Sequence, residues 1–108
     1  MKVAIAGAGA VGRSIARELV GNSYEVTLIE RNPGHFDPAA IPDADWRVGD
    51  ACELSLLEAV HLEEFDVVIA ATGDDKANVV LSLLAKTEFA APRVVARVND
   101  PRNEWLSD

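Results

Sequence analysis

The sequence predicts an α/β fold, a three-layer, doubly wound parallel sheet of strand order 3-2-1-4-5. Three observations carry this. Short β-branched apolar runs alternate with helical patterns along the whole chain. The runs are apolar at nearly every position, as strands covered on both faces are. A glycine-rich turn joins the first run to the first helical pattern. Right-handed crossovers then leave the doubly wound arrangement.

Lys2–Ala6 reads as a buried strand. Val11, Ile15 and Leu19 recur every four residues, an amphipathic helix closed at Gly21-Asn22. Glu25–Glu30 (EVTLIE) is the second strand. Residues 31–44 contain Pro33, Gly34, Pro38 and Pro42, too many breakers for a full helix. Asp37 before Pro38 suits the cap of a single turn over Ala39–Ile41. Asp45–Gly49 is the third strand, followed by a helix from Cys52 to His61 carrying Leu54, Leu57 and Val60. Asp66–Ala71 is the fourth strand. Asp75–Lys86 is the longest helix, with Val79, Val80, Leu83 and Leu84 as its apolar face. Acid at its start and Lys86 near its end complement the helix dipole. Arg93–Val98 is the fifth strand, and Asn103–Leu106 begins another turn. Trp46 and Phe65 read as core aromatics, while Trp105 is open between core and interface.

A length of 108 residues bounds the chain to one domain, residues 1–108. At 49% apolar and 26% charged residues the composition is that of a globular protein. The net charge of −8 argues against nucleic acid and anionic lipid, which call for a basic stripe. Cys52 is the sole cysteine, so an internal disulfide and a cysteine metal cluster are excluded. His35 and His61 are too isolated in sequence to suggest a metal site. The start of the chain superficially copies a signal peptide, but its glycines recur in a phosphate-binding spacing. The other apolar runs, Val67–Ala71 and Val79–Ala85, fall far short of the ~20 residues that cross a bilayer. A cytoplasmic protein without direct membrane insertion is expected.

Gly7-Ala8-Gly9-Ala10-Val11-Gly12 is a G-x-G-x-x-G directly after a strand and opening a helix, the Rossmann-like nucleotide fingerprint. Gly7 permits the tight turn, Gly9 leaves the backbone open to a pyrophosphate, and Gly12 lets the helix pack closely on the sheet. Free N–H groups and the positive helix end then face the phosphates. Glu30 closes the second strand roughly 20 residues on, where a carboxylate accepts from ribose hydroxyls and repels a 2′-phosphate. Arg31 blurs that preference, because an arginine there accepts a 2′-phosphate or stacks on adenine. Asp50 and Ala51 follow the third strand at the adenine edge, and helix capping is an equal alternative for Asp50.

Ala71, Thr72 and Gly73 follow the fourth strand on the far side of the crevice. Thr72, Asp74 and Asp75 are also natural caps for the next helix. Arg97 interrupts an apolar strand at its crevice end, either to reach phosphate or to pair with Asp74, Asp75 or Asp100. Asn99 is placed to contact the neighbouring ribose or ring. Arg13, in the first helical turn, either reaches a terminal phosphate or, as such residues more often are, is simply solvated. Tyr24 is the sole tyrosine, without a lysine four residues on, and no Ser-His-Asp arrangement exists. Binding without turnover fits better than catalysis.

The segments AGAGAVG, LIERNP, VGDA, VIAATGDDKANVV and ARVNDPRNEWL together resemble the N-terminal subdomain of Trk-type potassium-uptake regulatory proteins, the RCK/KTN family (regulator of potassium conductance). The resemblance covers nearly the whole chain. It implies a cytoplasmic nucleotide sensor, peripheral to the inner membrane through its partner, that binds NAD(H) or ATP/ADP. It further implies homo-oligomers assembled beneath a membrane potassium-translocating protein. Gly7, Gly9 and Gly12 would hold phosphates, Glu30 the ribose, Asp50 and Ala51 the adenine region. Thr72, Gly73, Arg97 and Asn99 would form the other half of the crevice. Family members continue into a sixth strand and a crossover helix, so the chain reads as truncated before that strand. The proline-rich loop at 31–44 departs from the more helical connection of the family. The alternative from another class is the cofactor half of an NAD-dependent oxidoreductase.

Overall fold

A computed structural model describes the backbone of residues 1–107 and the side chains of residues 1–104. The sheet consists of β1 (Lys2–Ala6), β2 (Glu25–Glu30), β3 (Asp45–Val48), β4 (Val67–Ala70) and β5 (Arg93–Ala96). Its order is β3-β2-β1-β4-β5 and every pairing is parallel, as the sequence predicts. The helices are α1 (Ala10–Gly21), α2 (Leu54–Ala59) and α3 (Asp75–Thr87). Trp105 lies outside the described side chains.

Alternation along the strands divides the core in two. Val3 and Ile5 of β1 point to one face, where they meet Val26, Leu28, Ala16 of α1 and Ile41. Ala4 and Ala6 point to the other, where Ile29, Val68 and Ala70 pack under Leu57, Leu62, Phe65, Leu81 and Ala85. The central strands β1 and β4 are therefore apolar on both sides, whereas the edge strands β3 and β5 carry the exposed Asp45, Arg47 and Arg93. The register sets Ala6 beside Ile29 and Ala70, and Ala70 beside Ala96. The carboxyl ends of four strands thus finish on one level, and the segments that leave them share one edge of the sheet.

The apolar periodicity marks the buried helix faces in part: Ile15, Leu19, Leu57, Val60 and Leu84 pack into or against the core, while Val11, Leu54, Val80 and Leu83 are exposed. Val11 is 37% exposed, and the most buried positions of α1 are Gly12 and Ala16, beside which Ile15 and Leu19 pack against the core. Small residues let its backbone approach the sheet closely. On α3 the buried line is Asn78, Leu81 and Ala85, while Val80 and Leu83 are 44% and 57% exposed. Two adjoining stripes of this helix are apolar, and hydrogen bonds made by Asn78 select which one faces the sheet.

Boundaries differ for local reasons. The third strand ends at Val48 and the fourth spans Val67–Ala70, each shorter than expected. β5 ends at Ala96 rather than Val98, because the Arg97 carbonyl turns to a side-chain partner. The second helix starts at Leu54, since residues 50–53 form a turn closed by the Glu53 N–H on the Asp50 carbonyl. Residues 31–44 hold two 3₁₀ turns, Pro33–His35 and Pro38–Ala40. Asn32 caps the first through the Gly34 N–H, but the Asp37 side chain makes no cap bond to the second. Trp46 anchors this loop, with its indole N–H on the Ile41 carbonyl and its ring edge-to-face with Phe36 at 5.7 Å.

The buried stripe of α3 can be checked directly. Leu81→Ala is expected to lower unfolding free energy by about 2–5 kcal/mol, whereas Leu83→Ser stays within about 0.5 kcal/mol of the parent. Urea denaturation of both variants measures the contrast.

Candidate functional site

Five chain segments, one from the end of each strand, enclose a cavity of about 370 Å³. Its wall includes Gly7 and Gly9 after β1, Glu30, Arg31, Asn32 and His35 after β2, and Asp50, Ala51 and Cys52 after β3. Ala71, Thr72, Gly73 and Asp74 follow β4, and Arg97 follows β5. The cavity sits at the switch point of the sheet, where doubly wound folds bind ligands.

The three glycines have separable tasks. Gly7 has φ +103°, and a Cβ on it would press the Ala71 carbonyl oxygen at 2.7 Å. A Cβ on Gly12 would collide with the carbonyl oxygen of Gly7. Gly12 therefore serves the close fold of the loop upon itself, ahead of the helix–sheet packing expected of it. Around Gly9 a Cβ meets no atom within 4 Å. Nothing in the protein's own packing requires glycine there, whereas a ligand approaching the backbone would. Gly9 is the N-cap of α1, without a side-chain cap bond and with no acid in the first turn. The first-turn amides of Ala10, Val11 and Gly12 lack intrahelical partners, and no side chain of the first turn caps them.

Glu30 is only 6% exposed and does more than the sequence predicts. Its Oε1 accepts the Ala8 N–H at 2.7 Å and its Oε2 the Asn32 N–H at 2.8 Å. The Ala8 amide is thus committed to Glu30 rather than offered to phosphate, and Ala8 itself is fully buried. A carboxylate has about four lone-pair sites, so capacity remains for hydroxyl donors. The His35 Nδ1 lies 3.9 Å from Oε1. Arg13 does not point to a terminal phosphate. Its Nε donates to the Ala8 carbonyl at 2.8 Å, its Nη2 donates to the His35 carbonyl at 2.9 Å, and it lies over the Trp46 ring.

After β3, Asp50 closes a local turn by accepting the Cys52 N–H at 2.9 Å. It does not cap α2, whose N-cap is Glu53. Burial, followed by the neighbouring Asp50, pushes the Cys52 thiol up, which keeps it protonated against the Ala77 carbonyl at 3.4 Å.

After β4, Asp74 caps α3 by accepting the Lys76 and Ala77 N–H groups. Asn78, 1% exposed, holds the far wall together. Its Oδ1 accepts the Thr72 N–H at 3.0 Å and hydroxyl at 2.7 Å, and its Nδ2 donates to the carbonyls of Thr72 and Arg97. Every hydrogen-bonding position of the amide is used. The Arg97 guanidinium makes no ion pair with Asp74, Asp75 or Asp100, and Arg97 is one of the residues that line the cavity. Asn99 does not line it: its amide donates to the Thr72 carbonyl at 3.0 Å and to Asp75 at 2.9 Å.

The sequence reading missed His35, Asn32 and Cys52 as wall residues. No motif spacing marks them, because the 31–44 loop and the turn after β3 place them. Among the described residues no cluster of three or more His, Cys, Asp or Glu side chains could hold a metal ion, and no helix is long and apolar enough to cross a membrane.

A family model described as the TrkA-N domain matches residues 3–107. The chain is 82% identical over 106 residues to the Trk system potassium uptake protein TrkA of Mycobacterium tuberculosis, covering 98% of this chain and 48% of that protein. It therefore spans about half the length of this relative. Among solved structures, the AMP-bound Kef CTD of Shewanella denitrificans superposes with a TM-score of 0.84 at 25% identity, over 97% of this chain and 64% of that one. The NAD(P)-binding domain of an exopolyphosphatase-related protein from Archaeoglobus fulgidus shares the fold, with a TM-score of 0.79 at 20% identity, over 95% and 77% of the two chains.

Removing the Asn78 amide strips buried groups of their partners. Asn78→Ala is expected to lower unfolding free energy by at least about 2 kcal/mol, because each orphaned polar group costs about 1–3 kcal/mol. The midpoint of a urea titration reads the loss.

Proposed function

Because the chain belongs to the TrkA-N domain family, we propose that it is the nucleotide-sensing module of a potassium-transport regulator, binding without catalysis. The ligand class is an adenine nucleotide, NAD(H) or ATP/ADP. The observation that carries this is Gly9, a helix start without a side-chain cap whose missing Cβ no protein neighbour requires, in the wall of the same cavity as Arg97, which has no ion-pair partner among the described residues. The AMP held by the Kef relative supports the same ligand class.

In this reading the α1 amides and Arg97 hold phosphate, and the remaining lone pairs of Glu30 take ribose hydroxyls. Arg31, Asp50 and Ala51 flank the base. Ala71, Thr72 and Gly73 close the far wall. Donors fixed by backbone geometry bind at low ordering cost. The name of the mycobacterial relative supports a potassium-translocating membrane protein as partner. The module works from the cytoplasmic side, as one of several copies whose relative orientation nucleotide occupancy biases. Such a bias needs differential affinity of the ligand for the two arrangements.

Titration calorimetry with AMP, ADP, ATP and NADH tests the reading, and heat from at least one is expected. At Gly9, φ −79° and ψ −165° are open to any side chain. Gly9→Val is therefore expected to abolish that heat while the chain stays folded, at a cost of about 0.5–2 kcal/mol for the poorer N-cap. Silence of the parent protein with all four compounds, or full affinity in Gly9→Val, would sink the proposal.

A further inference from the structure

Asp75 is the first residue of α3, yet its carboxylate turns away from the helix. Oδ1 accepts the backbone N–H of Asn99 at 2.7 Å and its side-chain amide at 2.9 Å. Oδ2 accepts the backbone N–H of Asp100 at 3.0 Å and the side-chain amide of Asn103 at 3.1 Å. All four donors come from the segment after β5, so one side chain gathers that segment onto the start of α3. These donors hold the Asp75 carboxyl well below the usual carboxylate range. The charged form is the one the clamp needs. The clamp is therefore complete at and above the ordinary carboxylate range and weakens only as pH falls below it.

Arg97 stands between this clamp and the sheet. Its N–H donates to the Ala70 carbonyl at 2.8 Å, and its carbonyl accepts from Asn78 at 3.0 Å. Only Val98 separates it from Asn99, the first clamped residue. An arginine has a long, many-rotamer side chain, and its reach is set by where the backbone places its Cα. Fixing the backbone on both sides limits the directions open to the guanidinium, which is how a supporting layer sharpens a binding group.

We propose that Asp75 is a positioning residue for Arg97: by clamping the segment after β5 to α3, it aims the guanidinium at the phosphate of a bound nucleotide. This rests on the nucleotide reading above and adds a residue that itself lies outside the cavity wall. A purely stabilising role for Asp75 makes a different forecast. It would weaken every ligand alike, or none, whereas an aiming role weakens only ligands that carry phosphate.

AMP and adenosine differ by that phosphate, so their affinities measured by calorimetry on the folded chain separate the two roles. The parent is expected to bind AMP more tightly than adenosine. Arg97→Ala is expected to weaken AMP by about tenfold, the loss of a charge-assisted contact, and to leave adenosine unchanged. Asp75→Asn keeps the shape, removes the charge and turns an amide toward donors. It is expected to weaken AMP at least about threefold with adenosine unchanged. The double variant should bind AMP no more weakly than Arg97→Ala alone. Asn103→Ala removes one of the four donors, and should give a smaller loss of the same selectivity. It decides the question if circular dichroism shows Asp75→Asn unfolded.

Equal losses for AMP and adenosine, an unchanged ratio in Asp75→Asn or Asn103→Ala, or fully additive effects of Asp75→Asn and Arg97→Ala would overturn the assignment. If the parent binds neither compound, nor any of the nucleotides named above, the nucleotide reading falls and takes this one with it. If the parent binds AMP and the variant ratio is unchanged, the nucleotide reading stands and only Asp75 loses its role.

Discussion

The Glu30 carboxylate holding the Ala8 amide is the interaction on which the rest of this site depends. A carboxylate only 6% exposed is costly to bury unless its oxygens are hydrogen-bonded, and here backbone N–H groups satisfy both. One of those groups belongs to the glycine loop and the other to the loop after β2. The acid therefore ties the glycine turn after β1 to the loop after β2. Register makes this possible: Glu30 comes one residue after Ile29, the partner of Ala6, and so stands level with the turn that follows β1. A residue expected from the sequence to be a ligand contact is a structural tie, and a substitution at Glu30 would disturb the loop as well as any ligand contact.

Arg13 continues the same logic. Its two donated hydrogen bonds end on the Ala8 and His35 carbonyls, which belong to the two segments that Glu30 also bridges. A cation and an anion thus brace one corner of the cavity through backbone groups, without pairing with each other. That bracing lets a proline-rich loop with only two 3₁₀ turns form a wall where a longer helix would otherwise stand. Trp46 and Ile41 seat the loop from below, and its conformation is carried by these few contacts.

The sheet order and the position of the cleft were legible because they follow from features that periodicity and chirality encode. Apolar runs mark strands, crossovers have one hand, and a glycine turn between strand and helix has few physical uses. The helix faces were not legible in the same way. On α3 two neighbouring stripes are apolar, and the choice between them comes from Asn78, whose partners Thr72 and Arg97 lie six and nineteen residues away. Asn78 stood within a recognised segment but carried no signal of its own burial. Arg13 and Asp75 were misjudged for one reason: a charged residue in a first helical turn looks like a phosphate contact or a cap until its tertiary partners are known. His35 and Cys52 reach the cavity through irregular backbone, for which hydrophobic pattern offers no guide.

The acidity of the chain looks opposed to a phosphate-bearing ligand, and the site resolves the opposition by how its charges are used. Glu30, Asp50 and Asp74 all line the cavity, yet each carboxylate already accepts backbone N–H groups. Those donors offset part of the negative field where it arises, and their geometry is fixed by turns and helix ends. The cations are distributed differently. Arg13 is spent on carbonyl groups of the frame, while Arg97 lines the cavity with no ion-pair partner among the described residues. A formal count of charges along the wall therefore misstates what an incoming ligand meets. The anions belong to the scaffold, and the exposed chemistry is amide N–H and guanidinium. That is how a chain of net charge −8 lines a cavity with carboxylates whose charge is already engaged by N–H donors.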